Sequence, residues 1–247
     1  MTSQNDYVET LRRDSAEAER YYMSSVGAKT EQQKMLETLV AGLPAQPRRI
    51  ADIACGAGAA SYHLGEMLPE AHFHLVDSNP EAVAIARRVM AGRAAQIGEG
   101  DIYRLDLESA AFDLVVCWQT LSWLDRAEAA VGELVRITKP GGTVLASSLF
   151  NLEADVDVHA RVTDRTRASS VGGSTYGYNT FSRATVADWL RGQACEFEIH
   201  RFDMPIDLAR SGRGLGTFTE CLADGRRLQI SAGMLMNWGI LKINKLA

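Results

Sequence analysis

Apolar residues recur along this chain in two rhythms. Between residues 30 and 43, Met35, Leu36, Leu39, Val40 and Leu43 fall on one face at three- and four-residue spacings, which predicts a helix that Gly42 and Pro44 end. A second helix is expected over residues 7–22. From residue 48 onward the rhythm shortens to apolar runs of strand length: RIADIA (49–54), HFHLVD (72–77), AAQIGEG (94–100), FDLVVCW (112–118) and GTVLASSLF (142–150). Helical patterns separate them in ASYHLGEMLP, PEAVAIARRVMAG and RAEAAVGELVRITKP, the second opening with Pro80 at a favoured early position. Lys139, Pro140, Gly141 and Gly142 read as a helix stop and a tight turn into the fifth strand. Short strands alternating with helices are the sign of a parallel sheet with right-handed crossovers, a doubly wound α/β fold.

After Phe150 the pattern turns polar, and residues 151–181 are rich in Arg, Ser, Thr and Gly. A segment of this kind in a compact domain is more often a cover over a site than a plain connector. Ser182 is placed to cap a helix running to Arg191. Strand-like runs return in EFEIHRFDMPI, in GTFTECLADGRRLQIS around an Asp224-Gly225 turn, and in MLMNWGILKI. The organisation expected is an N-terminal helical cover over residues 1–47 and one α/β domain over 48–247, with an acceptor-site insertion at about 151–181.

Composition narrows the class. A chain of 247 residues with 46% hydrophobic and 23% charged residues fits a single globular domain with modest insertions. No apolar run approaches the roughly 18 residues of a membrane helix, and the polar start lacks a signal-peptide core. A cytoplasmic protein without a membrane partner is expected. Cys55, Cys117, Cys195 and Cys221 are scattered, which suggests neither a disulfide framework nor a zinc site. The net charge of −5 and the lack of a long Lys/Arg run argue against a nucleic-acid partner.

Candidate chemistry begins in IADIACGAGAAS, residues 50–61, where the first strand breaks into a glycine turn that opens a helix. Gly56 and Gly58 allow a sharp turn and a close ligand, and the unpaired amides at the helix start favour polar or anionic groups. Nineteen residues after Gly58, the second strand ends in Asp77, placed to accept hydrogen bonds from ribose hydroxyls. Asp101, after the third strand, can accept from an adenine amino group while Ile102 packs near the ring. Three loops thus converge at the carboxyl ends of adjacent strands, where such sheets bind ligands.

DIACGAG, LVDSNPEAVAIAR, GEGDIYRLDLESAAFDLVVCWQTLSWLD and ELVRITKPGGTVLASSLF, taken in order, resemble the class I S-adenosylmethionine-dependent methyltransferases over residues 48–150. The resemblance implies a Rossmann-like, doubly wound, seven-stranded sheet with its last strand antiparallel, and S-adenosylmethionine as cofactor. Carried over, Ala54, Cys55, Gly56, Ala57 and Gly58 line the methionine and ribose portion, Asp77 holds the ribose, and Ser78 lies beside the adenine. Asp101 and Ile102 complete the adenine site, Cys117 lies near the methionyl end, and Asp52 orients the turn and reaches the methionyl amino group through water. Tyr21 or Tyr22 packs on the methionyl chain and Lys29 faces its carboxylate. Ala54 stands where many members have glycine, a change of small cost if that backbone is extended. Ser61 replaces the third glycine of a nicotinamide-binding GxGxxG and lowers the oxidoreductase reading.

Methyl transfer from a sulfonium is an in-line displacement, so alignment of the acceptor is the main task. A metal is unnecessary, and none is expected. Asp155, Asp157 and His159 alternate along NLEADVDVHAR, a pattern that a metal-assisted site or, more ordinarily, a solvated face produces. His159 is the candidate general base for a hydroxyl or ammonium acceptor. Trp118, Gln119, Trp123, Phe150 and Tyr178 are candidate walls of the acceptor pocket, with Tyr176 nearby. Arg161, Arg165, Arg167, Arg210 and Arg213 can attract an anionic acceptor. The expected function is methyl transfer to an O or N atom of a small molecule; a noncatalytic S-adenosylmethionine-binding module and a nicotinamide-dependent oxidoreductase are the alternatives. A homodimer is left open.

Overall fold

A computed structural model describes residue 19 and residues 23–164, 174–210 and 216–247. The predicted first helix falls mostly outside them, while the second is α1 (Glu31–Ala41). A capping box starts α1: Thr30 Oγ1 accepts from Gln33 N at 3.2 Å and Gln33 Oε1 accepts from Thr30 N at 2.8 Å. There follow β1 (Arg49–Ile53), α2 (Ala59–Met67), β2 (His72–Asp77), α3 (Pro80–Val89), β3 (Ala95–Glu99), β4 (Phe112–Cys117), a 3-10 turn at Leu121–Trp123, α4 (Ala127–Ile137) and β5 (Thr138–Asn151). The second half holds β6 (Val158–Asp164), β7 (Ser174–Ser182), α5 (Arg183–Trp189), β8 (Cys195–Arg201), β9 (Thr217–Cys221), β10 (Arg227–Ser231), β11 (Met234–Leu235) and β12 (Trp238–Lys245).

Seven strands run in the order β3-β2-β1-β4-β5-β12-β8. The first five are parallel, and β12 lies antiparallel to both β5 and β8. Period-two alternation sorts their residues onto two cores. Ala51, Ile53, Val115, Cys117, Val144 and Ala146 face α4 and α5, whereas Ile50, Leu114, Val116 and Leu145 face α1, α2 and α3. Asp52 therefore points to the α2 side, next to Ser61 of that helix. Lys139–Gly142 bulges out of the ladder, since Phe112 pairs with Thr138 but Leu114 with Thr143, and Gly141 takes φ +76° there.

Two features extend the expected sheet. The segment anticipated as an irregular cover contains the antiparallel hairpin β6–β7, joined to the carboxyl end of β5 by Leu149↔Thr180 to Asn151↔Ser182, so the sheet reaches nine strands. A separate three-stranded sheet, β9 to β11, forms around the predicted Asp224-Gly225 turn, where Gly225 has φ +85°. Ser182 caps α5 by accepting from Thr185 N. Among the described residues no helix is long and apolar enough to cross a membrane.

Candidate active site

β1 delivers the chain into a turn, residues 54–58, in which three residues are left-handed. Ala54 has φ +56°, Gly56 +54° and Gly58 +74°. A Cβ on Gly58 would come within 2.7 Å of Leu75 Cδ2, so both conformation and space require glycine there. The expectation of an extended Ala54 fails. Cys55 N donates to Val76 O at 3.1 Å and Gly58 N to Cys55 O at 2.8 Å, and these bonds bend the chain at Ala54 whatever its own preference. Left-handed φ costs a non-glycine residue about 1–2 kcal/mol. Ala54→Gly is therefore expected to raise stability by about 0.5–1 kcal/mol, the greater freedom of unfolded glycine offsetting part of the relief. Urea unfolding measures it, and an unchanged or lowered midpoint would refute the account.

Gly58, the N-cap of α2, provides no side-chain cap for the first amides of that helix. Beneath the turn, Asp52 is 1% exposed and accepts a 2.7 Å hydrogen bond from Ser61 Oγ, while its Oδ1 has no hydrogen-bond partner. Burial pushes this carboxyl up to about 7, the Ser61 hydrogen bond opposing and the Asp77 charge adding. The same burial holds the Cys55 thiol far above its usual range and pushes Cys117 up to about 12.

Asp77, at the end of β2, ties the first two loops together. Its Oδ2 accepts from Gly56 N and its Oδ1 from Asn79 N, both at 2.8 Å. Asn79 in turn caps α3 by accepting from Glu81 N at 3.1 Å. Ser78 beside it is exposed. The third loop hangs on the same strand end, for Gly100 N donates to Asp77 O at 3.1 Å. Asp101 Oδ1 accepts from Tyr103 N at 2.9 Å, and Ile102 packs half-buried against the α4-side core. Sequence reasoning missed Tyr103, whose hydroxyl donates to Asp125 at 2.5 Å while the Arg126 guanidinium lies 4.0 Å from its ring centroid. Those contacts strap the third loop to the segment after β4.

At the end of β4, Cys117 is fully buried and Trp118 half-buried. Gln119 takes φ +54°, its N–H donates to Ser147 Oγ at 2.7 Å, and its Nε2 donates to Gln32 Oε1 of α1 at 3.0 Å. Trp123 packs edge-on against Tyr178 of β7, centroids 4.4 Å apart. Phe150 is 1% exposed within the α4-side core.

His159 stands exposed on β6, its Nδ1 3.1 Å from Asn179 Oδ1 and its ring beside Phe181. Phe181 belongs to the α4-side core, whereas Tyr178, Trp118 and Trp123 belong to the opposite one, so the structure does not bring His159 to the candidate pocket walls. Asp157 is engaged at the start of α5, accepting from Ser182 N and Thr185 Oγ1 at 2.6 Å each. Lys29 pairs with Glu37 at 2.6 Å. Tyr21, Tyr22, Arg165, Arg167 and Arg213 lie outside the described residues.

The parallel sheet with three loops meeting at its carboxyl edge defines a Rossmann-like α/β fold. Residues 50–142 match the family described as "Methyltransferase domain". The chain is 29% identical over 179 residues to malonyl-[acyl-carrier protein] O-methyltransferase of Hahella chejuensis, covering 69% of this chain and 61% of that one. It is 28% identical over 170 residues to trans-aconitate 2-methyltransferase of Methylobacterium nodulans, covering 66% and 64%. It thus spans less than two thirds of either relative's length. Among solved structures, the methyltransferase in a complex with the Haloferax volcanii Trm112 activator superposes with a TM-score of 0.63 at 16% identity, over 93% of this chain and 96% of that one. Residues 50–142 are thus similar to a methyltransferase domain, within a chain that resembles S-adenosylmethionine-dependent methyltransferases.

Proposed function

We propose that this chain methylates a carboxylate oxygen of an organic acid, free or carried as an acyl group. The observation that carries the reading is the neutrality of the methyl-transfer end. Trp118, Gln119, Trp123 and Tyr178 are uncharged, and the expected base His159 faces Phe181 instead. A hydroxyl or ammonium acceptor must lose a proton and calls for a base there. A carboxylate, ionised well below neutral pH, brings its own nucleophile. The two relatives support the choice, because malonyl and trans-aconitate are both carboxylic acid groups.

The cofactor residues fit this role. The partnerless, buried Asp52 Oδ1 is suited to the methionyl ammonium, Asp77 to the ribose hydroxyls, and Asp101 with Ile102 to the adenine. S-adenosylmethionine supplies an electrophilic methyl: the carboxylate oxygen bonds to it as the sulfur–methyl bond breaks, the electron pair returns to sulfur, and no proton moves. Helix α1 and the hairpin strands β6 and β7 are assigned as covers of the cofactor and acceptor sides.

Incubating the protein with S-adenosylmethionine and a panel of free and thioester-linked acids should yield S-adenosylhomocysteine with a methyl ester identified by its mass. Turnover of amines or phenols with no ester formed would overturn the proposal. No turnover across acids, amines and phenols would favour a noncatalytic binding module.

A further inference from the structure

Gln119 is a residue in an unfavourable conformation that the surroundings impose. Left-handed φ is rare outside glycine and asparagine, yet Gln119 holds φ +54° two residues beyond the carboxyl end of β4. Ser147, 1% exposed on β5, fixes its backbone by accepting the N–H at 2.7 Å. Thr120 Oγ1 braces the preceding residue by donating to Trp118 O at 3.0 Å. Strain of this kind persists where neighbours over-determine it, and it concentrates where a group must be aimed.

The side chain is aimed as well. Gln119 Nε2 donates at 3.0 Å to Oε1 of Gln32, a side chain only 6% exposed on α1 and 87 positions away in sequence. A primary amide carries two N–H donors, and the bond to Gln32 uses one. Gln119 as a whole remains exposed, at the carboxyl end of β4 beside Trp118. From this geometry we infer that Gln119, held by Gln32, donates its second N–H to one oxygen of the acceptor carboxylate and thereby points the other oxygen at the methyl group. Gln119 touches the acceptor; Gln32 is a positioning residue that acts through it. A neutral donor suits the chemistry, since it orients the carboxylate without quenching its nucleophilicity as a cation would. The inference rests on the carboxylate reading above.

The test is steady-state kinetics on an acid that the wild-type protein methylates, with S-adenosylmethionine affinity measured in parallel by calorimetry. Gln119→Met is expected to raise the acceptor KM by about tenfold or more, the usual loss for a hydrogen bond to a charged group, with cofactor affinity within about twofold. Gln119→Asn, whose side chain tolerates left-handed φ, keeps the backbone at ease but shortens the reach and should show the same KM defect. It serves as the second variant if Gln119→Met folds poorly. Gln32→Met should raise KM in the wild-type background and change nothing in the Gln119→Met background, because its effect passes through Gln119. A merely structural Gln32 would instead add its own defect. Failure to methylate any acid would remove the functional reading and this inference together. Normal acid methylation with an unchanged KM in both Gln119 variants would overturn this inference alone.

Discussion

Asp77→Ala is expected to bind S-adenosylmethionine roughly tenfold to a hundredfold more weakly than the wild type, about 1.5–3 kcal/mol for hydrogen bonds to a charged acceptor. Two losses contribute. The ribose hydroxyls lose their carboxylate, and Gly56 N and Asn79 N lose the acceptors that hold the glycine turn and the α3 cap against β2. Cofactor analogues separate them. An analogue without ribose hydroxyls cannot use the first interaction, so it should discriminate less between wild type and variant than S-adenosylmethionine does. Calorimetry on the folded variant decides the matter: unchanged S-adenosylmethionine affinity would remove Asp77 from the cofactor site. Equal weakening for both ligands would reduce it to a turn anchor.

The position of Asp77 at the end of β2 was legible in the sequence because its signal is local: an apolar run of strand length ending in an acid, set a fixed distance beyond a glycine turn. The same holds for β1 to β5, whose alternation follows from the sheet's two faces and needs no knowledge of partners. The hairpin β6–β7 escaped because its ordering contacts are mixed with polar neighbours. Ala160, Val162 and Tyr178 pack inward, but His159 and Arg161 alternate with them and dilute the pattern. Ala54 escaped for a different reason. Its φ is set by bonds that its neighbours make, so intrinsic propensity pointed the wrong way. Gln32 illustrates the deepest limit. A glutamine near a helix start reads as solvated, and only a contact 87 residues distant makes it a buried partner of the crevice.

Affinity for S-adenosylmethionine is expected to rise about tenfold per pH unit below pH 7 and to level off above it, through Asp52. In the free protein this carboxyl is 1% exposed, held by Ser61 alone, with Asp77 and two protonated thiols as its titratable neighbours. Burial raises its pKa from 3.8 to about 7, so below pH 7 it is mostly neutral. A methionyl ammonium at Oδ1 requires the ionised form, and binding there must expel the proton. The sign for stability is opposite. Because the folded-state value exceeds the unfolded one, the stabilisation is complete below about pH 3.8 and is lost as pH rises to about 7, amounting to roughly 4 kcal/mol at most. Asp52→Asn, an isostere of the neutral acid, should make the cofactor-free protein more stable than wild type above pH 7 while weakening cofactor binding and flattening its pH dependence. Calorimetry in buffers of different ionisation enthalpy should register close to one proton released per cofactor bound at pH 6. Wild-type affinity that stays flat from pH 5.5 to 7.5, with no proton released, would show that Asp52 does not meet the ammonium.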